Sequence, residues 1–334
     1  GAQTGSIQYD LGKKQIKNST VKGLDKITDL ILALKSNKVQ GVIMEEPTAQ
    51  AYVENDKGLA MVNGKFHLGD GENNTAIGFR KGSTSLVNEV NKSVDQITSQ
   101  NLTKQYLADA GSYMKVNTKN TSMWHYAGYF GKGVEYTLII TVISVFFGIL
   151  LGTLFALMRL AHNPLVHSVG VAYIEFVRGT PLMIQVMFVY FGIGLFINIP
   201  ALTAGIIAVS LNSAAYVAEI IRGGINSVPI GQTEAARSLG LSKNQTFSSV
   251  VFPQALKNIW PALGNELVSL IKESSIVSII GVTDLIYQLK AVQTATYNGV
   301  LPIVVSMILY FMMTFSLSKV SNHFERRTRH ESDD

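Results

Sequence analysis

The sequence predicts a soluble α/β domain followed by an all-α domain of five membrane-crossing helices. Two observations carry this prediction. Residues 1–120 are polar and rich in lysine, whereas residues 134–318 hold long stretches without charge. A helix needs roughly 20 apolar residues to cross a bilayer core, and the second half supplies such stretches repeatedly. The whole-chain values of 47% hydrophobic and 15% charged residues are therefore averages over two unlike halves, and 334 residues suffice for two domains. The expected divisions are a soluble domain over 1–115, an interfacial linker over 116–132, a membrane domain over 133–322 and a tail over 323–334. The membrane domain is expected to contain a polar loop at 223–258.

The spans follow from charge. Leu138–Met158 is 21 residues without a charge. Gly179–Ala218 is charge-free for 40 residues and is divided at Asn198-Ile199-Pro200. Its first part extends back to about Val169, across Glu175 and Arg178. Its second part is about Ala201–Ile221, with Glu219 near its end. Ile259–Val282 is apolar but contains Glu266, Lys272 and Glu273, and counts as a less hydrophobic fourth crossing. Thr294–Ser318 is the last clean run. Trp124, Tyr126, Tyr129 and Phe130 stand just before the first span, as an interfacial aromatic belt or an ordinary amphipathic linker would.

Five crossings put the chain ends on opposite sides. Arg159, then Arg222, Arg237, Lys243 and Lys257, then Lys319, Arg326, Arg327 and Arg329 all fall on one side. The other side, 195–201 and 284–298, carries only Asp284 and Lys290. The excess of cations marks the cytoplasmic side. The polar loop and C-terminus are expected there, and the N-terminal domain outside. This topology also accounts for the formal charge of +5 without invoking nucleic acid.

Residues 234–253 read EAARSLGLSKNQTFSSVVFP. Glu234-Ala235-Ala236 is followed by three residues and Gly240, then by nine residues, Val250 and, three further on, Pro253. This pattern resembles the coupling loop of ATP-binding-cassette importer permeases, with Val250 and Phe252 where the family has Ile and Leu. The resemblance implies a helix–turn–helix knob that docks on an ATPase. Gly240 would allow the sharp turn, Ala235 and Ala236 a close fit, Glu234 and Arg237 ion pairs, and Pro253 the end of the second helix. Glu175-Phe176-Val177-Arg178-Gly179-Thr180-Pro181 and Lys272-Glu273-Ser274-Ser275 resemble two further segments of the polar amino-acid permeases of glutamine/histidine type. Ionisable residues at membrane depth call for a functional reading, so Glu175, Arg178, Lys272 and Glu273 are candidates for the translocation pathway. Structural ion pairing and helix locking are the alternatives. Glu175 and Arg178 are three apart and can neutralise one another, as can Glu219 and Arg222 at the approach to the loop. Gly148 and Gly152 can serve a dimer face or simple close packing.

In the first half, Val42–Met44 reads as a short buried strand, and Ile27–Leu34 and Leu86–Thr98 have helical spacing. Gly1-Ala2-Gln3-Thr4-Gly5-Ser6, Lys35–Pro47 and Ala76–Gly82 resemble parts of the extracytoplasmic amino-acid receptors that serve such importers. The resemblance covers about 1–110. It implies a partial type II binding-protein fold fused to a type I importer permease. On it, Gly5 and Ser6 at a helix start would meet a ligand carboxylate, Glu45 its ammonium and Gln3 its side chain. A plain helix cap and a surface acid are the alternatives for Ser6 and Glu45. Gly1 begins abruptly, without a basic and apolar leader, so a fragment lacking its export signal and part of the receptor is expected.

The chain has no cysteine and no P-loop pattern, and its six histidines lack metal-ligand spacing. No catalytic constellation, metal site or cofactor of its own is expected. ATP and Mg would be bound by a partner ATPase dimer, and a second copy of this chain would complete the pore. The reading is import of polar amino acids, glutamine first, across the cytoplasmic membrane, with fusion on one chain suggesting a Gram-positive bacterium. A ligand-gated channel or a membrane-anchored sensor are the alternatives.

Overall fold

The computed structural model describes residues 1–69, 76–103, 105–106, 109, 122–296 and 298–330. Parts of the expected soluble domain and linker (70–75, 110–121) and of the tail (331–334) lie outside the described residues. So do the side chains of residues 323–330, which include Arg326, Arg327 and Arg329. The chain forms two compact units, Gly1–His125 with Ala291–Pro302, and Tyr126–Lys290 with Ile303–Asp334.

In the first unit, β1 (Ala2–Gln3) and β2 (Gly23–Leu24) pair in parallel, and α1 (Ile7–Gln15) makes the crossover that a parallel pair requires. The expected helices are present as α2 (Ile27–Lys35) and α4 (Thr84–Ser99), with α3 (Glu46–Asn55) between them. The expected strand at Val42–Met44 is not a strand of this sheet. Among the described residues its backbone neighbour is Gly1, whose carbonyl accepts from Ile43 N at 2.9 Å and whose amino group donates to O of the preceding Gly41 at 2.7 Å. Two bonds to one residue fall short of a ladder. Ala2, Leu11, Leu30, Ile31 and Val39 make a small core. Two strands of two residues each are few for an α/β domain.

The second unit is helical. Its elements are α5 (Ala127–Arg159), α6 (Pro164–Gly179), α7 (Leu182–Met187, prolonged irregularly to Leu195), α8 (Ala201–Asn226), α9 (Ile230–Ser238) and α10 (Lys243–Thr246). They are followed by α11 (Phe252–Glu273, continued to Ile280 by a 3₁₀ stretch), by α12 (Leu285–Thr296), whose residues to Lys290 belong to this unit, and by α13 (Leu301–His330), which belongs to it from Ile303. Met123–Arg159, Ala201–Asn226 and Leu301–Asn322 are long and apolar enough to cross a membrane as single helices. Two further segments are bent, Pro164–Leu195 by 105° and Lys243–Thr296 by 56°.

Packing partners along α8 show that Pro164–Leu195 crosses rather than turns back, and that Lys243–Ile280 runs along α8 before its bend. Ile174 clusters with Ala218, Gln185 bonds Asn212, and Val186 and Val189 share a core with Ala204 and Ala208. Gly224 lies against Ile259, Ser213 against Glu266 and Gly205 against Val277. In both cases the partners advance steadily along α8 in the antiparallel sense. The second span therefore does not extend straight back to Val169. It is broken at Gly179-Thr180-Pro181, because proline offers no N–H and clashes with the preceding turn.

α5 runs parallel to α8 at close range. A Cβ on Gly148 would meet Ser213 Oγ at 2.7 Å, and one on Gly152 would meet Ala214 O at 2.8 Å. The G-x-x-x-G stripe is thus spent on packing inside the chain. The outward faces of α5 and α13 are apolar, including Phe146, Leu150, Met307 and Phe311, as lipid contact requires. Of the four aromatics before the first span, Trp124 and Tyr129 are exposed, while Tyr126 and Phe130 are buried. Gly152→Leu is expected to lower stability by about 2 kcal/mol through overpacking against α8. Thermal unfolding in detergent would show it, with the outward-facing Leu150→Ala close to wild type as control.

Candidate functional site

The loop after α8 folds into a rigid knob. α9 ends in a Schellman turn: Gly240 N donates to Arg237 O at 3.0 Å and Leu241 N to Ala236 O at 3.2 Å, with Gly240 at φ +88°. Arg237 reinforces the turn by donating to Leu241 O at 2.6 Å. α10 opens with a capping box between Ser242 and Gln245. Ala236 is buried inside the knob, so of the expected small pair only Ala235 faces outward. Glu234 is exposed and makes no ion pair among the described residues. Two apolar residues that the pattern did not single out, Ile230 and Leu239, are also exposed on the knob, Leu239 to 85%.

Pro253 does not end a helix. The chain stays helical from Lys243 through a π turn at Phe247–Val251 into α11, with Pro253 in the first turn of α11. The wider π turn absorbs the hydrogen bond that Pro253 cannot donate.

Where α5, α6 and α8 converge near the knob, Glu219 gathers three arginines. Arg222 meets it with two bonds of 3.0 Å, Arg159 lies at 2.8 Å and Arg178 at 3.4 Å. The pair expected from spacing, Glu219 with Arg222, is present. The pair expected between Glu175 and Arg178 is not: Arg178 turns to Glu219 and to the ring of Tyr216, and Glu175 stays exposed. The reason is competition, since Glu219 is largely enclosed and a desolvated carboxylate attracts cations more strongly than an exposed one.

Farther along α8, Ser213 Oγ donates to Glu266 at 3.5 Å beside a small cleft walled by Val145, Val217, Leu263 and Leu267. Glu273 is two turns beyond Glu266, on the same face of α11, because seven residues make almost two full turns. Lys272 is exposed and forms no ion pair with Glu273 among the described residues, since adjacent helical residues point about 100° apart. The polar face inside the bundle is therefore Ser213, Glu266 and Glu273. Glu266 carried no motif, and its position facing Ser213 emerges only from the packing of α8 on α11.

In the first unit, Gln3, Gly5, Ser6 and Glu45 leave the chain at the carboxyl ends of neighbouring extended segments, because Gly1 sits beside Val42. Ser6 is the cap of α1: it accepts from Tyr9 N at 3.2 Å and donates to Gln3 O at 2.7 Å. Gln3 donates to Asp25 O at 3.1 Å. Gly5 has φ +72°, and Glu45 is exposed at the start of α3.

Residues 127–330 match the family described as the inner membrane component of binding-protein-dependent transport systems. The chain belongs to this family. The permease is 40% identical over 198 residues to a protein of Rickettsia bellii named for a glutamine transport system, covering 59% of this chain and 91% of the relative. It is 39% identical over 200 residues to the arginine transport system permease of Bacillus subtilis, with the same coverage. Among solved structures, it is similar to a crystal structure of an amino acid ABC transporter with histidines, at 46% identity and TM-score 0.60, over 62% of this chain and 97% of that one. It is accordingly an integral membrane permease subunit and not an enzyme; the ATPase of such transporters is a separate subunit. The family match begins at residue 127, so residues 1–125 of the first unit lie outside it.

The arginine hub makes an ordered prediction about the stability of the permease. Glu219→Ala leaves three guanidinium groups unpaired and is expected to cost on the order of 3 kcal/mol. Arg178→Ala, at a side chain 43% exposed, is expected to cost less than about 1 kcal/mol. Thermal melts of the two variants would reverse the reading if Arg178→Ala proved the more damaging.

Proposed function

We propose that this permease imports polar amino acids, glutamine or a close relative first, and that the α/β unit is part of the receptor that delivers them. The observation that carries the reading is the Ser213–Glu266 pair inside the helical bundle, with Glu273 on the same face of α11. Carboxylates are retained at membrane depth where they serve a pathway. A zwitterionic amino acid offers them an ammonium group. The naming of relatives for glutamine and arginine transport supports the substrate class.

In this reading the knob faces the cytoplasm and the α/β unit faces outward, as the distribution of arginine and lysine favours. Exposed Glu234, Leu239 and Ile230 meet the ATPase, which binds ATP and Mg. Two copies of the chain enclose the pathway, and two ATPase subunits drive it. Glu175, Arg178 and Lys272 contribute charge along the route. In the receptor part, Gly5 and Ser6 offer backbone N–H groups to the carboxylate, Gln3 meets the side chain and Glu45 takes the ammonium. Ser6 already caps α1 with its hydroxyl and donates its backbone N–H to Gln3 O at 3.2 Å, so a ligand carboxylate would take that N–H in exchange for the bond to Gln3. A receptor tethered to its permease is held at high local concentration, an arrangement suited to a Gram-positive cell surface.

Reconstitution with the partner ATPase in proteoliposomes tests this. Glutamine is expected to stimulate ATP hydrolysis. Glu266→Gln is expected to raise the half-saturating amino-acid concentration about tenfold, the value of one charge-assisted hydrogen bond. Glu234→Lys is expected to abolish stimulation without changing assembly of the bundle. Hydrolysis indifferent to every polar amino acid would refute the import reading.

A further inference from the structure

The break in the second span poses a problem that its own backbone cannot solve. Pro181 has no N–H, so the carbonyl of Val177, four residues earlier, loses its helical partner. At membrane depth no water stands by to replace it. Gln185, on the first turn of α7, reaches back and supplies the donor. Its Nε2 lies 2.7 Å from Val177 O, 2.8 Å from Thr180 Oγ1 and 3.1 Å from Thr180 O. Carbonyl oxygens only accept, so the amide's NH₂ must face the break, and its oxygen is left pointing at α8. There it accepts from Asn212 Nδ2 at 3.1 Å. Asn212 is 4% exposed, and among the described residues Gln185 is the partner of its side-chain NH₂.

The next residue of α8 is Ser213, which faces Glu266 across the helix pair. Asn212 and Ser213 are about 100° apart on one turn, so α8 presents the break on one side and the cleft on the other. Rotation or sliding of α8 that improves one contact must change the other. We propose that Gln185 is a positioning residue for transport: through Asn212 it fixes α8 so that Ser213 and Glu266 face the cleft in the geometry that holds the amino acid. The idea rests on the import reading above and adds the residues that set its affinity.

Asn212→Ala is the informative variant. It removes the link to α8 and leaves the three bonds from Gln185 to the break in place. In the chain reconstituted with its ATPase, and with glutamine and arginine as probes, the half-saturating concentration is expected to rise about fivefold. The maximal stimulated rate should stay within about twofold of wild type, with a modest fall in melting temperature because the amide oxygen of Gln185 loses its donor; the loss of affinity corresponds to one hydrogen bond, about 1 kcal/mol. Gln185→Leu should raise half-saturation at least as far, and the double variant should be no worse than Gln185→Leu alone. A lower melting temperature and maximal rate with unchanged half-saturation would mean a structural role only and would overturn the proposal, as would additive effects in the double variant. Wild-type protein stimulated by amino acid alongside an unaffected Asn212→Ala would sink this inference alone. Wild-type protein stimulated by neither probe would remove the import reading and this inference with it.

Discussion

Close approach of neighbouring helices to α8 is the constraint on which the membrane unit depends. Lipid is as apolar as leucine, so helices in a bilayer gain little by burying apolar area against each other. They gain instead from van der Waals contact and polar bonds at short range. α8 provides for both. Its buried positions include Ala204, Gly205, Ala208, Ser210, Ser213, Ala214, Ala215, Ala218 and Gly224. α5 answers with Gly148 and Gly152, and α11 sets Ile259 directly against Gly224. Larger residues on either side would push apart the contacts that define the register of four helices at once.

That register is what makes the polar groups affordable. Ser213 reaches Glu266, Asn212 reaches Gln185 and Tyr173 OH reaches Leu211 O at 2.7 Å because the backbones are already near. Toward the knob, Glu219 can be shared by arginines from three helices. The bonds at Leu211, Asn212 and Ser213 share one turn of α8 and the Glu219 hub lies about two turns nearer the knob, so the helix works as a spine with two sets of attachments. The attachments near the knob are ion pairs, and those deeper are amide and hydroxyl bonds, one of them to the carboxyl of Glu266. The order follows dielectric surroundings: full charges keep some solvent, while neutral donors and acceptors are cheaper where there is none.

The sequence made some of this legible and hid the rest for definable reasons. The spans were legible because a run without charge is a property of one segment, and Glu219 with Arg222 because i and i+3 share a helix face. Arg159 and Arg178 joining Glu219 was not, since those contacts depend on how three helices meet. A break at Gly179–Pro181 follows from the glycine and proline in that stretch, but its angle and its repair by Gln185 do not. A single glutamine inside an apolar run changes neither charge nor period. Glu266 went unassigned because its partner lies on another helix. Val42–Met44 was misread because a β-rich triplet does not announce how many bonds its neighbours offer. Pro253 was misread because a proline seen alone does not reveal a π turn ahead of it. In the candidate receptor site, the positions were named from resemblance, and only Ser6 as a helix cap could have been reached from local rules.

The knob and the cleft share one piece of backbone. From Lys243 to Ile280 the chain is helical without a gap, passing the π turn at Phe247–Val251 and Pro261 on the way. Pro253 and Glu266 are 13 positions apart, which at 1.5 Å per residue is about 20 Å of helix. Asn258 bonds Ser227 at 2.7 Å and Gln254 approaches Gln232 at 3.4 Å, so the first turns of α11 are tied to both the end of α8 and the knob. The Schellman turn and the capping box leave the knob little internal freedom. A displacement applied to the knob therefore has two outlets, bending at the π turn and movement of α11 as a lever. The ties at Gln254 and Asn258 both lie on the α11 side of the π turn and bind α11 to Gln232 of the knob and to Ser227 at the end of α8, which opposes bending of α11 away from the knob. Motion is passed instead to Glu266, on the same rigid segment, and to α8 through the contact of Ile259 with Gly224. The acid that faces the cleft and the knob proposed to meet the ATPase are in this sense joined by one helix.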